Sequence, residues 1–589
     1  MSTIKVSKIS SLSNSTPTIV LDDYGNATFN GTVSIKNLQF YGSSSNNVFF
    51  GSGAGSSATT GYWSVGIGVD ALTAQTSGWS NIAIGSSALM SAETSNSNIA
   101  IGTSALRNAT TAKQNIAIGE GALSSVTTAM PVGADKPYDF GLVGIGFGAL
   151  KNATAAACYG ATAVGHRALE NSVGGRWNTA FGWEALARNQ QGTSNMAFGA
   201  LALRECTTGN TNIALGGSSL REHKFGDNNV AVGDSTLATG MTGARCVAVG
   251  HAALYGANNC SDTIGIGWSA LQNLEGWSEP GSNLGENPWN LAMGTASMKE
   301  TRQGFSNHAV GAYTFEHMRY GNINLLFGGS AGRYSNNATL NTFIGDSSFY
   351  KANNCTNNIG LGHFVMMSGN GNFDNIGIGF ASLGSHPTRL AGQYGEAVTV
   401  RTFGLLNNTA VGHYALANTS VGINNVCIGT GAGLNATTAN NCTLVGYLAG
   451  TGSSPLNVTT QSNKIVLGNS SHDAAHIQVS WTVASDIRDK DIKEKEVPGL
   501  DFIKQINPIT YQFKNRETNE ITSDIVRYGV SAQNVLETEG ADPIIVDSTN
   551  PEKLKVNETM LIPVLINAVK ELSAEIEILK SQLSANTSN

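Results

Sequence analysis

The stretch Asn81-Ile-Ala-Ile-Gly85 returns as Asn98-Ile-Ala-Ile-Gly102 and again as Asn115-Ile-Ala-Ile-Gly119. Its glycine can be followed in one phase from Gly51 to Gly446, in 22 copies, and 17 of the 21 intervals between them are 17 residues long. The residue before the glycine is apolar in all 22 copies, the residue two before it is Ala, Gly or Cys in 18, and the residue four before it is Asn in 16. Most of the chain is therefore one repeated structural unit.

The apolar–small–apolar triplet of the repeat has the two-residue period of a β-strand. The Gly, Ser, Thr and Asn content around it opposes a helical repeat. We therefore expect each copy to be one coil of a parallel β-solenoid, with the large side chains of the strand facing the interior. Asn before the strand and Gly after it would adopt left-handed backbone angles at the corners. Asn side chains in register would form a hydrogen-bonded ladder.

A coil of 17 residues encloses little volume, so a single chain would have a thin core. The small residue of the triplet, such as Ala83, suggests that another copy of the chain packs closely against it. We therefore predict a parallel homotrimer. The predicted fold class is mainly β: a trimeric parallel β-solenoid, or β-roll, of 17-residue coils, followed by a small α/β domain that ends in a coiled-coil helix.

The Asn-x-Ala-Ile-Gly copies resemble the head repeats of trimeric autotransporter adhesins, over the segment from Gly51 to Gly446. The resemblance implies a trimeric, left-handed parallel β-roll. The repeat in this chain is longer than theirs. A cellular trimeric adhesin is accordingly one interpretation, although we expect neither a signal peptide nor a membrane anchor.

The composition excludes several other classes of protein. Gly accounts for 70 of 589 residues without an every-third pattern and Pro for only 12, which excludes collagen, and 41% hydrophobic residues exclude a disordered linker. A net charge of −7 without a basic excess indicates neither nucleic acid nor an anionic membrane as a partner. No apolar run reaches the roughly 18 residues of a membrane-spanning helix. The seven scattered Cys fit neither a disulfide framework nor a zinc site, so we expect buried, reduced thiols and folding in a reducing cytosol.

The composition changes sharply near residue 485. Charged residues number 30 among the last 105 positions and 45 among the first 484, whereas Gly falls from 67 in the first part to 3 in the last. We expect three domains: an N-terminal β adaptor over 1–46, a solenoid shaft over 47–484, and a separate domain over 485–589.

The last domain has the pattern of an α/β fold followed by a long helix. Residues 500–514 predict a helix, a turn and a strand, and residues 528–537 predict a strand that passes into a short helix. Apolar residues then follow a heptad spacing, namely Ile562, Leu565, Val569, Leu572, Ile576, Leu579 and Leu583. A helix of this length should self-associate. β-branched residues at a with Leu at d nominally favour a dimer, whereas the upstream repeats favour a trimer. We expect the upstream repeats to determine the number of chains in the assembly.

These features resemble the intramolecular chaperone auto-processing domain at the C-terminus of phage tail spikes and tail fibres, of the endosialidase-spike type. The resemblance is carried by four stretches, which are Ser485-Asp-Ile-Arg-Asp-Lys490, Asn507-Pro-Ile-Thr-Tyr511, Gly529-Val-Ser-Ala-Gln533 and the helix start from Leu561 to Leu572. It implies a domain that trimerises, helps the β-rich body to fold, and then cuts itself off. The family's Ser-Asp-x-Arg-x-Lys motif maps onto Ser485, Asp486, Arg488 and Lys490.

The chemistry of this motif is that of a Ser-Lys dyad. A serine hydroxyl needs a base to take its proton, and no His follows His476, so Lys490 is the candidate general base for the nucleophile Ser485. Asp486 and Arg488 would support them, and burial or the Arg488 cation would lower the lysine pKa. Cleavage of the Ala484–Ser485 bond would be a single turnover, and we expect no enzyme that turns over an external substrate. The alternative is that the motif is a solvated, charged linker.

Three insertions interrupt the shaft, near 124–142, 272–289 and 384–407. They carry aromatic residues that could stack on sugar rings of a receptor, namely Tyr138, Phe140, Trp277, Trp289 and Tyr394. The alternative is that these side chains pack their own loops against the shaft.

No cofactor and no metal is expected. One group of histidines follows the motif glycine but lies several coils apart, which opposes a metal column; it comprises His166, His251, His363 and His413. A glycan-cleaving spike needs an acid and a base at a fixed separation, and the shaft shows no recurrent pair of carboxylates.

The function that these features favour is that of a homotrimeric phage tail fibre for receptor binding and host adhesion. We expect it to be made and folded in the host cytoplasm, to join the virion tail or baseplate through its N-terminus, and to bind a host surface glycan or protein without inserting into a membrane. A tail-spike depolymerase that acts on a surface polysaccharide is the enzymatic alternative, and a cellular trimeric adhesin is the third.

Overall fold

The structure is a computed structural model that describes residues 46–127, 141–154, 158–240, 242–258, 260–275, 289–383, 404–472, 475–476, 478, 485–514, 518–521, 523–552 and 554–587. The chain divides into two units, Met1–Tyr320 and Gly321–Asn589. The adaptor expected over 1–46 lies outside the described residues except for its last position.

The first unit contains short strands that recur along the repeat. They are β1 Val48–Phe50, β2 Val65–Ile67, β3 Ile82–Ile84, β4 Ile99–Ile101, β5 Ile116–Ile118, β6 Val143–Ile145, β7 Thr162–Val164, β8 Thr179–Phe181, β9 Met196–Phe198, β10 Ile213–Leu215, β11 Val230–Val232, β12 Gly243–Ala244, β13 Val247–Val249, β14 Cys260–Ser261, β15 Ile264–Ile266, β16 Leu291–Met293 and β17 His308–Val310.

The second unit continues the same kind of strand and then changes to a mixed fold. Its strands are β18 Gly321–Asn322, β19 Leu325–Phe327, β20 Ala338–Thr339, β21 Thr342–Ile344, β22 Lys351–Asn353, β23 Cys355–Thr356, β24 Ile359–Leu361, β25 Ser368–Asn370, β26 Ile376–Ile378, β27 Thr409–Val411, β28 Val426–Ile428, β29 Thr443–Val445, β30 Ile465–Leu467, β31 Pro508–Tyr511, β32 Arg527–Val530, β33 Val546–Asp547 and β34 Lys555–Val556. Its helices are α1 Leu500–Gln505, α2 Ala532–Glu539 and α3 Leu561–Thr587.

Within each unit, the motif strands pair in parallel with the strand of the next coil, and equivalent residues face each other. Ala83 pairs with Ala100, and Ala100 with Ala117. The insertions do not disturb this register, because Ala117 pairs with Gly144 across the first and Gly377 with Ala410 across the third. The predicted parallel β-solenoid with 17-residue spacing is confirmed in both units.

The side chains of the motif strands face the opposite way from the prediction, with the small residue inside and the large residues outside. Ala83 is fully buried, whereas Ile82 and Ile84 are each 37% exposed. The middle residue of the strand faces the narrow interior, where it is small in most coils. The Leu four residues after the glycine, such as Leu89, fills the rest of the interior. The prediction that the large side chains face inward was therefore wrong, and Ala83 packs in its own coil rather than against another chain.

The Asn ladder is confirmed. Asn98 Nδ2 donates to Asn81 Oδ1 at 3.1 Å and to the carbonyl of Ala112 at 2.8 Å. Asn115 Nδ2 in turn donates to Asn98 Oδ1 at 3.0 Å. The side chains are buried, so this network satisfies amides that would be costly to leave unpaired.

At the corner before each strand, the left-handed residue is the one that precedes the ladder Asn and not, as had been expected, the Asn itself. Ser80 and Ser97, which precede the ladder Asn residues, have φ of 55° and 56°, whereas Asn81 and Asn98 are absent from the positive-φ residues of the described chain. The corner therefore falls on the residue that precedes the ladder Asn. The motif glycine does have positive φ, as predicted.

Replacing Gly102 by Ala is expected to destabilise the solenoid strongly. Gly102 has φ +129°, and a Cβ there would lie 2.6 Å from the carbonyl carbon of Gly119 in the next coil. We expect a loss of about 3 kcal/mol or more, measured as a lower denaturation midpoint. Gly121→Ala is the matched control, since it has φ +67° and an added methyl carbon would meet nothing within 4 Å, and it should cost about 1 kcal/mol. Equal losses would contradict this role for the glycine.

The C-terminal part of the second unit is a small α/β fold, as predicted. Its core consists of buried Val535, Ile545, Val546 and Val564, against which further apolar residues of α1, α2 and α3 pack. Strands β31 and β32 form an antiparallel pair in which Pro508 faces Val530. Among the residues that the structure describes, no helix is both long and apolar enough to cross a lipid bilayer.

Candidate active site

A tight turn holds the four residues of the Ser-Asp-x-Arg-x-Lys motif together. Asp486 caps a short 3₁₀ turn over Ile487–Asp489, because its Oδ1 accepts a hydrogen bond from Arg488 N at 2.9 Å. Lys490 N then donates to the carbonyl of Ile487 at 3.2 Å. This reversal of the chain brings the side chain of Lys490 back towards the start of the motif.

The predicted nucleophile and base are in contact. Lys490 Nζ lies 2.6 Å from Ser485 Oγ and 3.4 Å from the Ser485 carbonyl oxygen. A base within hydrogen-bond reach of a hydroxyl is the geometric requirement for activating a serine nucleophile. Ala484, on the other side of the expected cleavage bond, lies outside the described residues.

Asp486 and Arg488 form a pair with each other. Arg488 Nε lies 3.1 and 3.0 Å from the two carboxylate oxygens of Asp486, and an Arg488 terminal nitrogen lies 2.5 Å from Oδ2. The Arg488 guanidinium lowers the pKa of the Asp486 carboxyl, and the carboxylate raises the pKa of Arg488. Arg488 is therefore directed to Asp486, where it stabilises the turn, and does not act as the free cation expected beside Lys490.

The site is exposed as far as the described part of the chain shows it. Ser485, Asp486, Arg488 and Lys490 are all exposed. A lysine accepts a proton only in its neutral form, which burial favours. The described residues leave Lys490 exposed and so do not supply this burial.

The heptad seam of α3 is exposed along its whole length. All seven predicted seam residues are exposed, from Ile562 to Leu583. A different stripe of the same helix faces the domain: Val564 and Ala568 are buried, and Glu571 Oε2 accepts a 2.6 Å hydrogen bond from Leu500 N. Intramolecular packing thus leaves the seam available for association.

Only one of the candidate receptor-binding aromatics lies in the described residues. Trp289 is 62% exposed. The others, namely Tyr138, Phe140, Trp277 and Tyr394, lie outside the described ranges. Across the described ranges, no three His, Cys, Asp or Glu side chains are grouped so that they could hold a metal ion.

The sequence interpretation missed an outward apolar face on the solenoid. Exposed residues flank the buried middle residue of the motif strands and recur from coil to coil, as with Phe181 and Phe198, whose rings stack at 4.6 Å. Alternation along a three-residue strand shows that there are two faces but not which one is inside. The small volume that a 17-residue coil encloses could have indicated that the large side chains of the strand face outward.

A known family coincides with the position of this site. Residues 485–540 match the family described as the chaperone of endosialidase. No curated protein and no solved structure matches the chain. The match begins at Ser485, and its place after a β-solenoid body is consistent with a phage tail spike or tail fibre that carries a C-terminal chaperone domain.

Proposed function

We propose that the chain is a homotrimeric phage tail fibre that binds the host surface, and that its C-terminal domain drives trimerisation and folding before it cuts itself off at Ser485. The observation that carries the proposal is the 2.6 Å contact between Lys490 Nζ and Ser485 Oγ at the first residue of the chaperone match. The same position is the boundary between the Gly-rich and the charged parts of the chain. Denaturing electrophoresis of the wild type beside Ser485→Ala tests the cleavage.

The outward apolar face supports assembly with further copies of the chain. In the first unit its exposed members include Ile67, Ile82, Ile84, Phe181, Met196, Phe198, Ile264 and Met293. In the second unit they include Phe327, Ile344, Ile359, Leu361, Ile378, Ile428, Ile465 and Leu467. Long apolar strips of this kind mark interaction surfaces, and parallel copies of one chain would present the same strip at every coil.

The exposed seam of α3 also supports assembly with further copies of the chain. Identical helices can bury these side chains in a parallel coiled coil, and in that arrangement the shafts that precede them also run in parallel. Association at the C-terminus would therefore bring the outward faces of the shafts together in register. This is how the domain would assist folding of the body.

Host binding is proposed to use the aromatic residues of the insertions. Trp289 supports this assignment, because it is a large exposed apolar side chain at the end of the second insertion. The fibre would join the virion through its N-terminal segment and present the insertions as receptor contacts on a rigid scaffold.

Trp289→Ala is expected to weaken adsorption of virions that carry the variant to host cells by roughly tenfold or more, as for an aromatic anchor in an interface. Trp63→Ala is the matched control. Trp63 occupies the same position of its coil, five residues before the motif glycine, and is 61% exposed with a similar φ, but it belongs to no insertion. Unchanged adsorption for Trp289→Ala, or an equal loss for both variants, would contradict a receptor contact at Trp289.

A further inference from the structure

The Asn ladder of the first unit is interrupted at one coil by a cysteine. Asn229 Nδ2 donates to Asn212 Oδ1 at 3.0 Å and to the carbonyl of Gly243 at 2.9 Å. Cys246 takes the next place: its N–H donates to Asn229 Oδ1 at 3.0 Å, and its thiol donates to the carbonyl of Cys260 at 3.1 Å. The thiol therefore replaces a ladder amide.

A second cysteine faces the first at this interruption. Cys260 stands one coil after Gly243, with which it pairs in register in β12 and β14. Its Sγ lies 3.2 Å from Cys246 Sγ, and both residues are about 1% exposed. Two thiols from adjacent coils thus meet in the interior at the point where the polar ladder is replaced.

We propose that Cys246 and Cys260 are a modification site, at which a peroxide oxidises the folded protein to a disulfide that joins the two coils. One sulfur, as thiolate, attacks a peroxide oxygen; the O–O bond breaks, water leaves, and a sulfenic acid remains. The second sulfur attacks this sulfenic sulfur, the S–O bond breaks, and a second water leaves. In total, two thiols lose two protons and two electrons, and one hydrogen peroxide becomes two waters.

The two sulfurs are already close in the folded coils. A disulfide needs them at about 2.05 Å, so they must approach by roughly 1.1 Å from their 3.2 Å separation. The carbonyl of Cys260 loses only a weak thiol donor. The contact with Cys246 and burial raise the pKa of the Cys260 thiol well above its usual range, so little thiolate exists near neutral pH and the oxidation is slow.

The proposal concerns the folded shaft and does not depend on receptor binding or on self-cleavage. A covalent link there would hold two coils together where the amide ladder does not. It would form after the protein leaves a reducing compartment, since cytosolic reductants keep thiols reduced. All seven Cys are free thiols in the described structure.

The test is a thiol count and a peptide map of the full-length protein. Folded wild type is incubated for a long period with dilute hydrogen peroxide, quenched, unfolded and alkylated. We expect the alkylated Cys to fall from seven to five, because two are joined, and a reductant to restore seven. Cleavage by chymotrypsin after Tyr255, which lies between the two Cys, should yield two peptides joined through Cys246 and Cys260.

The control is Cys260→Ser, whose peptide map should show no disulfide at Cys246 under the same treatment. Seven alkylated Cys in treated wild type, or a link between any other two Cys, would overturn the proposal. The wild-type peptide map decides the question by itself if the variant does not fold. Wild type oxidised after unfolding shows whether the link depends on the folded coils, and an equal yield of the 246–260 link there would also contradict the proposal.

Discussion

Ser485→Ala is expected to leave the chain uncut, whereas the wild type separates into fragments of 484 and 105 residues. In proportion to length, the intact chain of 61.2 kDa gives pieces of about 50 and 11 kDa. In the proposed reaction, Lys490 Nζ would take the proton as Ser485 Oγ attacks the carbonyl carbon of Ala484. The C–N bond would then break as the protonated lysine returns the proton to the leaving Ser485 nitrogen, and water would hydrolyse the resulting ester. Denaturing electrophoresis during prolonged folding measures the outcome.

Two variants of Lys490 distinguish its proposed role as a base from its role as a hydrogen-bonding cation in the turn. Lys490→Ala removes the base. Lys490→Arg keeps a cation that can still donate to Ser485 but that holds its proton at any ordinary pH, so it should also remain uncut. Lys493→Ala is the matched control, because Lys493 is an exposed lysine of the same segment, paired with Asp491, and it should cut as the wild type does.

Two outcomes would contradict this assignment. A single band of about 61 kDa for the wild type would reject self-cleavage and leave the chaperone proposal standing. Fragments of the same size from Ser485→Ala would require another nucleophile. A wild-type level of cutting in Lys490→Arg would show that the lysine acts by its charge or its hydrogen bond and not as a base.

The solenoid could be predicted from the sequence because each coil repeats the same environment. A ladder residue such as Asn98 meets its own counterpart above and below, so the spacing of the repeat also fixes the register of the strands. The direction of the strand faces could not be predicted in this way. It depends on the volume inside the coil, which admits Ala100 and places Ile99 and Ile101 outside.

The contact between Ser485 and Lys490 could be predicted from the sequence, whereas the placement of Arg488 could not. The four residues between Ser485 and Lys490 are enough for a turn to bring the two side chains together. The sequence spacing does not reveal whether the Arg488 guanidinium lies beside Lys490 or beside Asp486. In the structure it binds the carboxylate of Asp486, which also caps the turn. The contact of Cys246 with Cys260 was likewise hidden, because residues 14 apart meet only once a coil has closed.

Leu572→Glu combined with Leu579→Glu is expected to abolish assembly. Both side chains lie on the exposed seam of α3, and two additional carboxylates per helix at d positions would face the same charges of the neighbouring helices in a low-dielectric interface. Without the seam, the shafts are not brought into register, so we expect no folded trimer and no cut chain, because the open Ser485 site would lack a neighbouring chain to cover it. Sedimentation or light scattering gives the mass of the assembly, and electrophoresis shows the cutting.

Ala574→Glu combined with Ser581→Glu is the matched control for the seam. It introduces the same charges on the same helix, seven residues apart and also exposed, but at f positions on the side away from the seam. The control should form an assembly of three chains and cut itself. A wild-type assembly of two chains would show that the seam, with β-branched residues at a and Leu at d, sets the number of chains. A folded three-chain assembly of the seam variant would show that the outward faces of the shaft associate without the helix, and the chaperone role of the seam would then be wrong.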